Sequence, residues 1–173
     1  MPDSSGKTMT LQKKSKEISV QELARHIEAL MEEDCAFTLL VTGYSMIPTL
    51  RHKRDQVVLV SPQRRSPRSG EIVFFRRRDD SCVLHRVFRE FEVDRFLING
   101  DAQLWTEVIH RDQIIAVVDR LIRNQKIISC DNRYYCLYVK IWCKLRPLRR
   151  FIFRAYKLMV KFISPRRKKS CDS

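Results

Sequence analysis

The chain has 173 residues, which is enough for one ordinary domain and too few for two comfortable ones. Hydrophobic residues make up 44% of it, so a packed core is feasible. No run of about 18 apolar residues exists that would predict a membrane-spanning helix. The charge is concentrated at one end: residues 133–173 hold 13 Lys and Arg against one acid, Asp172, whereas residues 1–132 are nearly neutral. This asymmetry predicts an anionic partner for the basic segment, either lipid headgroups or nucleic acid.

The cysteine spacing and the N-terminal residues argue against a zinc protein and against secretion. No two cysteines form a CxxC pair and no His–Cys cluster has the spacing of a zinc site, so we expect free thiols, no metal and no cofactor. Residues 1–19 are polar and Lys-rich, without the apolar run of a signal peptide. We therefore expect a protein that is cytoplasmic or peripherally associated with a membrane. The cysteines are Cys35, Cys82, Cys130, Cys136, Cys143 and Cys171.

The body of the chain reads as one helix followed by short strands. Residues 1–18 are predicted to form a flexible leader, and Ser19 with Glu22 resembles a capping box at a helix start. Apolar residues then recur three or four apart, which predicts an amphipathic helix over about 20–33. From residue 36 onward, short β-branched and aromatic runs alternate with charged or turn-like clusters, which is typical of a mainly antiparallel β domain. These runs lie at 36–42, 56–60, 71–76, 82–89, 95–98 and 114–122.

The segment after Asp131 is helical in pattern and strongly basic. We predict one helix over 134–146, ended by Pro147, and a second over 148–163 with basic and apolar residues on opposite sides. Three interpretations are open for residues 134–169: helices packed on the domain, an anionic membrane interface, or nucleic-acid binding, which is the less favoured partner. The aromatic content favours lipid. The side chains predicted to enter the membrane are Trp142, Phe151, Phe153, Tyr156 and Phe162.

Three short segments carry residues that are suited to nucleophilic catalysis. Ser45 follows a predicted strand, with Gly43 allowing close approach of a substrate and Pro48 fixing the exit of the chain. His85 lies within a predicted strand, and a neutral imidazole is the commonest general base near neutral pH. Asp101 is an acid that can orient that imidazole or hold a loop. Each residue taken alone also has an ordinary structural explanation, so spacing predicts only a β domain with a pocket.

Five pieces in order resemble the signal peptidase I and LexA-type serine peptidase superfamily. Residues 43–48 are similar to the G-x-S-M-x-P box of signal peptidase I, and His85 with Arg86 and Val87 is similar to the H-R-V box of the endoplasmic-reticulum and sporulation-type enzymes. Residues 54–58 and 70–74 resemble the two strands that contain Gly-Asp pairs in that family. Residues 100–102 resemble its later Gly-Asp-Asn/Ala box. The match spans roughly residues 39–122.

The resemblance implies a coiled, mainly β peptidase fold over residues 19–130, with an N-terminal helix and a basic helical tail over 131–173. It implies a serine endopeptidase that cleaves signal-like or pro-peptide substrates, with Ser45 as nucleophile and His85 as base. Asp101 would be the third member. Gly43, Met46 and Pro48 would line the substrate site, and the backbone N–H of Ser45 would contribute to an oxyanion hole. The alternatives are a LexA-type regulator and a catalytically idle domain that binds a peptide or a membrane.

Overall fold

The computed structural model describes residues 20–163, and within the last helix it does not describe the side chains of 156, 157 and 159–163. The predicted leader, the cap at Ser19 and the basic cluster at 166–169 lie outside the described residues. Helix α1 spans Val20–Glu32, as the periodicity predicted. Its apolar face buries Ala24, Ile27 and Met31 against the first of the two core clusters of the sheet.

A single antiparallel sheet, curled into a half-barrel, forms the body of the protein, which confirms the mainly β fold class. The strands follow the order β1-β2-β7-β3-β4-β5-β6, and β8 pairs with the second half of β7. Strand β1 lies at one end of this order and β6 at the other. The strands are β1 Phe37–Leu40, β2 Asp55–Val60, β3 Ile72–Arg76, β4 Cys82–Glu92, β5 Arg95–Asn99, β6 Glu107–His110, β7 Ile114–Arg123 and β8 Lys126–Ser129.

Two of the eight strands, β6 and β8, were absent from the sequence prediction. Each is only four residues long, so neither offers enough alternation to stand out from its surroundings. Strand β8 returns from β7 through a two-residue turn in which Asn124 and Gln125 both have positive φ, 48° and 64°. Such a turn is characteristic of tight hairpins, but Gln at its second position is an uncommon signal. Strand β6 carries Glu107, whose carboxylate contacts His85 of β4.

The two C-terminal helices lie within two residues of the bounds predicted from the sequence. Helix α2 spans Arg133–Lys144, and the Asn132 side chain accepts hydrogen bonds from the first backbone N–H groups of the helix. A short 3₁₀ turn that contains Pro147 interrupts the helical path, and α3 then spans Arg149–Ile163.

One side of this helical segment is packed on the β body. Val139 and Trp142 of α2 are buried, and Val139 lies so close to Gly70 that a Cβ there would come within 3.1 Å of its Cγ1 atom. Arg149 at the start of α3 is buried too, with its guanidinium 4.8 Å from the centre of the Trp142 ring. Its Nη1 donates to Asn99 Oδ1 at 2.7 Å. Trp142, which the sequence placed in a membrane interface, is therefore a docking residue of the fold.

Candidate functional site

The predicted nucleophile, Ser45, lies on a turn that is anchored in the hydrophobic core. Met46 and Leu50, on either side of Pro48, are buried in the core, whereas Ser45 itself is half-buried. Gly43 has a φ of +95°, in the region that favours glycine, and the Ile47–Pro48 peptide is cis. Because its apolar neighbours are buried in the core, this turn can hold the Ser45 hydroxyl in a fixed position.

The Ser45 turn rests against the segment 100–102, which lies far from it in sequence. The Ala102 N–H donates to the Ser45 carbonyl at 2.7 Å. A Cβ on Gly100 would come within 2.9 Å of the same carbonyl oxygen, so only glycine fits there. The Gly-Asp-Ala box and the serine box are thus in direct contact.

A second histidine, which the sequence reasoning did not single out, supports the turn from outside. The Gly43 N–H donates to His52 Nδ1 at 2.9 Å, and the ring of Tyr44 stacks on the His52 ring with centroids 4.9 Å apart. Because Nδ1 accepts this bond, the neutral tautomer of His52 carries its proton on Nε2. His52 therefore acts on the conformation of the Ser45 turn.

His85 is a buried histidine whose ring is fixed by a carboxylate. It lies in the middle of β4, pairs with Val73 of β3, and has only 1% of its surface exposed. Its Nδ1 lies 3.1 Å from Oε1 of Glu107 on β6. The rings of Phe75 and Trp105 stand at 6.0 and 6.4 Å from the imidazole. With Nδ1 as donor to Glu107, Nε2 is left as the acceptor nitrogen.

Burial and charge act in opposite directions on the protonation of His85. Burial lowers the pKa of the imidazole and Glu107 raises it, with burial prevailing, so the ring is neutral at neutral pH. Glu107 is itself held by Arg77, whose guanidinium donates to both carboxylate oxygens at 2.7 Å. A neutral ring with an oriented acceptor nitrogen is the form that a general base requires.

Asp101 binds Arg86 instead of the histidine. Arg86 Nε donates to Oδ1 at 2.9 Å and Nη2 donates to Oδ2 at 2.7 Å, and both side chains are almost wholly buried. Both carboxylate oxygens are therefore engaged by the guanidinium, and among the described residues no hydrogen bond joins Asp101 to His85. The role of Asp101 as orienting acid has no hydrogen bond to His85 to support it and stays a prediction. The carboxylate on the ring is Glu107.

The Asp101 carboxylate instead joins three elements of the fold. The Thr49 hydroxyl, four residues after Ser45, donates to Oδ2 of Asp101. The same hydroxyl lies 2.9 Å from the Tyr138 hydroxyl of α2. Although burial works against the charge of Arg86, Asp101 more than offsets it and raises the pKa of the guanidinium. This buried network ties the nucleophile turn to β4 and to the C-terminal helix.

Two contacts that an active site could contain are absent from the described residues. Among the described residues, no hydrogen bond links the Ser45 hydroxyl to His85, and neither that hydroxyl nor His85 Nε2 has another partner. Within residues 20–163, no group of three His, Cys, Asp or Glu side chains is arranged to hold a metal ion. Of the predicted substrate residues, Gly43 is exposed, Pro48 is half-buried and Met46 belongs to the core.

The family model described as peptidase S24-like matches residues 8–122. The chain belongs to this family. The match includes Ser45, His85, Asp101 and Glu107 and ends within β7, before the C-terminal helices begin. Membership supports a serine peptidase or a LexA-like domain. Neither the curated proteins nor the solved structures contain a significant match to the chain.

Proposed function

We propose that this S24-like protein is a serine endopeptidase in which Ser45 is the nucleophile, His85 the general base and Glu107 the orienting carboxylate. The observation that carries the proposal is the His85–Glu107 pair. A buried, neutral imidazole with a carboxylate on Nδ1 has its second nitrogen available to a hydroxyl, which is the arrangement that activates serine nucleophiles.

The reaction that we propose uses these three residues in the following order. The Ser45 oxygen attacks the peptide carbonyl while His85 Nε2 takes the hydroxyl proton, and Glu107 stabilises the imidazolium that forms. The backbone N–H of Ser45 stabilises the oxyanion. The C–N bond then breaks as Nε2 returns the proton to the leaving amine. Water, deprotonated by His85, releases the acyl group and restores the serine.

The substrate class that we propose is an extended segment of polypeptide, such as a signal-like or pro-peptide sequence. Strand β1 pairs only with β2 among the described strands, so its other edge offers backbone N–H and C=O groups. The strand leads directly into the Ser45 turn. A peptide added along this edge passes the nucleophile in the extended form that β-augmentation requires.

A serine-directed acylating probe tests the proposal without knowledge of the natural substrate. We expect the full-length protein to be labelled once, on the peptide that contains Ser45, as located by mass spectrometry. Ser81→Ala, at an exposed tight turn, is the matched control and should label like the wild type. Some members of the family are inactive. Absence of labelling in folded protein would favour that idle, binding-domain alternative.

Replacing Glu107 by Gln is expected to lower kcat by about 10²–10⁴-fold, because the imidazolium loses its counter-charge and the ring its fixed tautomer. The pH profile gives a second readout. Activity should rise with pH as His85 loses its proton, with a midpoint below the ordinary imidazole pKa of about 6.5. Since Glu107 raises that pKa, its neutralisation should move the midpoint to still lower pH. An unchanged midpoint and kcat would remove Glu107 from the mechanism.

A further inference from the structure

The C-terminal helical segment (residues 133–163) leaves large apolar side chains uncovered. On α2, Tyr134, Leu137 and Ile141 recur three and four apart on the side away from the buried Val139, and Leu137 is 56% exposed. Isolated exposed apolar residues are ordinary, but a row at helical spacing marks a contact surface.

Helix α3 and the turn before it continue this pattern. Leu148, Phe151, Ile152 and Leu158 are all exposed, and Phe151 is 63% exposed. Their spacing of three, one and six residues keeps them near one face of the helix. Among the residues described, nothing covers this face. The buried side of the segment has already satisfied its packing on the β body through Trp142.

The positive charge of the segment favours an anionic partner. Residues 133–163 contain nine Lys and Arg and no Asp or Glu. Five of these basic side chains are exposed and lie along one edge of the apolar row: Arg133, Lys140, Lys144, Arg150 and Arg154.

We propose that this exposed face of α2 and α3 binds the surface of an anionic lipid bilayer. An amphipathic helix that has apolar side chains beside Lys and Arg lies in the headgroup region, where the apolar groups meet acyl chains and the cations meet phosphates. Within the described residues no helix is long and apolar enough to cross a membrane. A second copy of the chain would bring two strongly basic faces together, and nucleic acid would leave the Leu, Ile and Phe side chains without partners.

A groove lies between this surface and the β body. It encloses about 680 Å³, and its lining includes Lys144 and Phe151 from the helical segment and Leu104 from the body. Leu104 precedes Trp105, whose ring stands 6.4 Å from the imidazole. Lipid binding does not depend on the proposed peptidase activity. If both hold, the enzyme works on substrates presented at the bilayer surface.

The test is co-sedimentation of the full-length protein with vesicles of phosphatidylcholine, alone or mixed with phosphatidylglycerol. We expect binding to the anionic vesicles at low salt, weaker binding as salt rises, and little binding to phosphatidylcholine alone. Phe151→Glu should weaken the binding about ten- to hundredfold, since a buried Phe contributes that much to partitioning. Lys140→Glu combined with Lys144→Glu should weaken it comparably.

Matched controls lie elsewhere on the chain. Val93→Glu replaces an apolar side chain that is 90% exposed at the β4–β5 turn, and Lys126→Glu reverses an exposed charge on β8. Both should bind like the wild type. All the sites are exposed, so circular dichroism should show unchanged folding. Equal binding by Phe151→Glu and wild type, no binding of wild type to anionic vesicles, or binding to duplex DNA alone would each overturn the proposal. These readouts need no catalysis, so the peptidase can fail while lipid binding holds.

Discussion

Substitution of His85 by Ala is expected to lower kcat/KM for peptide cleavage by on the order of 10⁴-fold or more, and Ser45→Ala should cost about as much. In the proposed mechanism the two side chains act in one proton transfer, so removing either would leave only the residual contribution of substrate binding and the oxyanion hole. The double variant should therefore be no worse than the poorer single variant. Steady-state kinetics on a panel of signal-like peptides measures all three losses, and the preferred peptide begins to define the substrate.

The matched histidine control is His26→Ala, because His26 is exposed on α1. Its kcat/KM should equal that of the wild type. Additive losses in the double variant would mean that Ser45 and His85 act independently, contrary to the proposed mechanism. Cleavage that survives Ser45→Ala would assign the nucleophile to another residue.

Loss of the Asp101 carboxylate is expected to have the largest effect on stability. Asp101→Ala leaves the Arg86 guanidinium buried without its counter-charge, which typically costs about 3–5 kcal/mol of unfolding free energy. It also leaves the Thr49 hydroxyl without its acceptor. Urea unfolding monitored by circular dichroism measures the change. Glu92→Ala, which breaks an exposed pair with Arg95, should cost less than about 1 kcal/mol.

The same position separates a structural role for Asp101 from a catalytic one. Asp101→Asn keeps the shape of the side chain, so it should lower stability while the folded fraction retains a kcat close to that of the wild type. If Asp101 were instead the acid that orients His85, Asp101→Asn would fold stably and lose kcat in the way expected of Glu107→Gln. Comparison of the two variants under conditions where both are folded decides between the roles.

The sequence was most informative where local chemistry and chain order agree. The periodicity of α1, the proline between α2 and α3, and the strand that carries His85 could all be predicted from neighbouring residues. The partner of His85 could not, because Glu107 lies on a four-residue strand and its contact with the ring depends on how the sheet is paired. Asp101 lies in a recognisable Gly-Asp-Ala box, so the sequence predicted Asp101 as the partner of His85 and not Glu107.

The C-terminal helices show a second limit of sequence reasoning. Amphipathic spacing shows that a helix has an apolar face but not which surface covers it. Trp142 and Phe151 were both candidates for a membrane interface, yet the structure buries the first and exposes the second. The difference arises from Arg149, whose bond to Asn99 holds one side of the segment on the body. That pairing joins residues 50 positions apart, so the sequence around either residue does not predict it.

The position of Arg149 also has a consequence for synthesis. Domains fold as they leave the ribosome, N-terminal part first. The segments that carry Ser45, His85 and Glu107 emerge early, but Thr49 meets Tyr138, and Asn99 meets Arg149, only after the chain has been made to that point. The nascent protein therefore completes the support of its nucleophile turn last. A chain released early would contain Ser45, His85 and Glu107 but lack the contacts that Tyr138 and Arg149 make with the body.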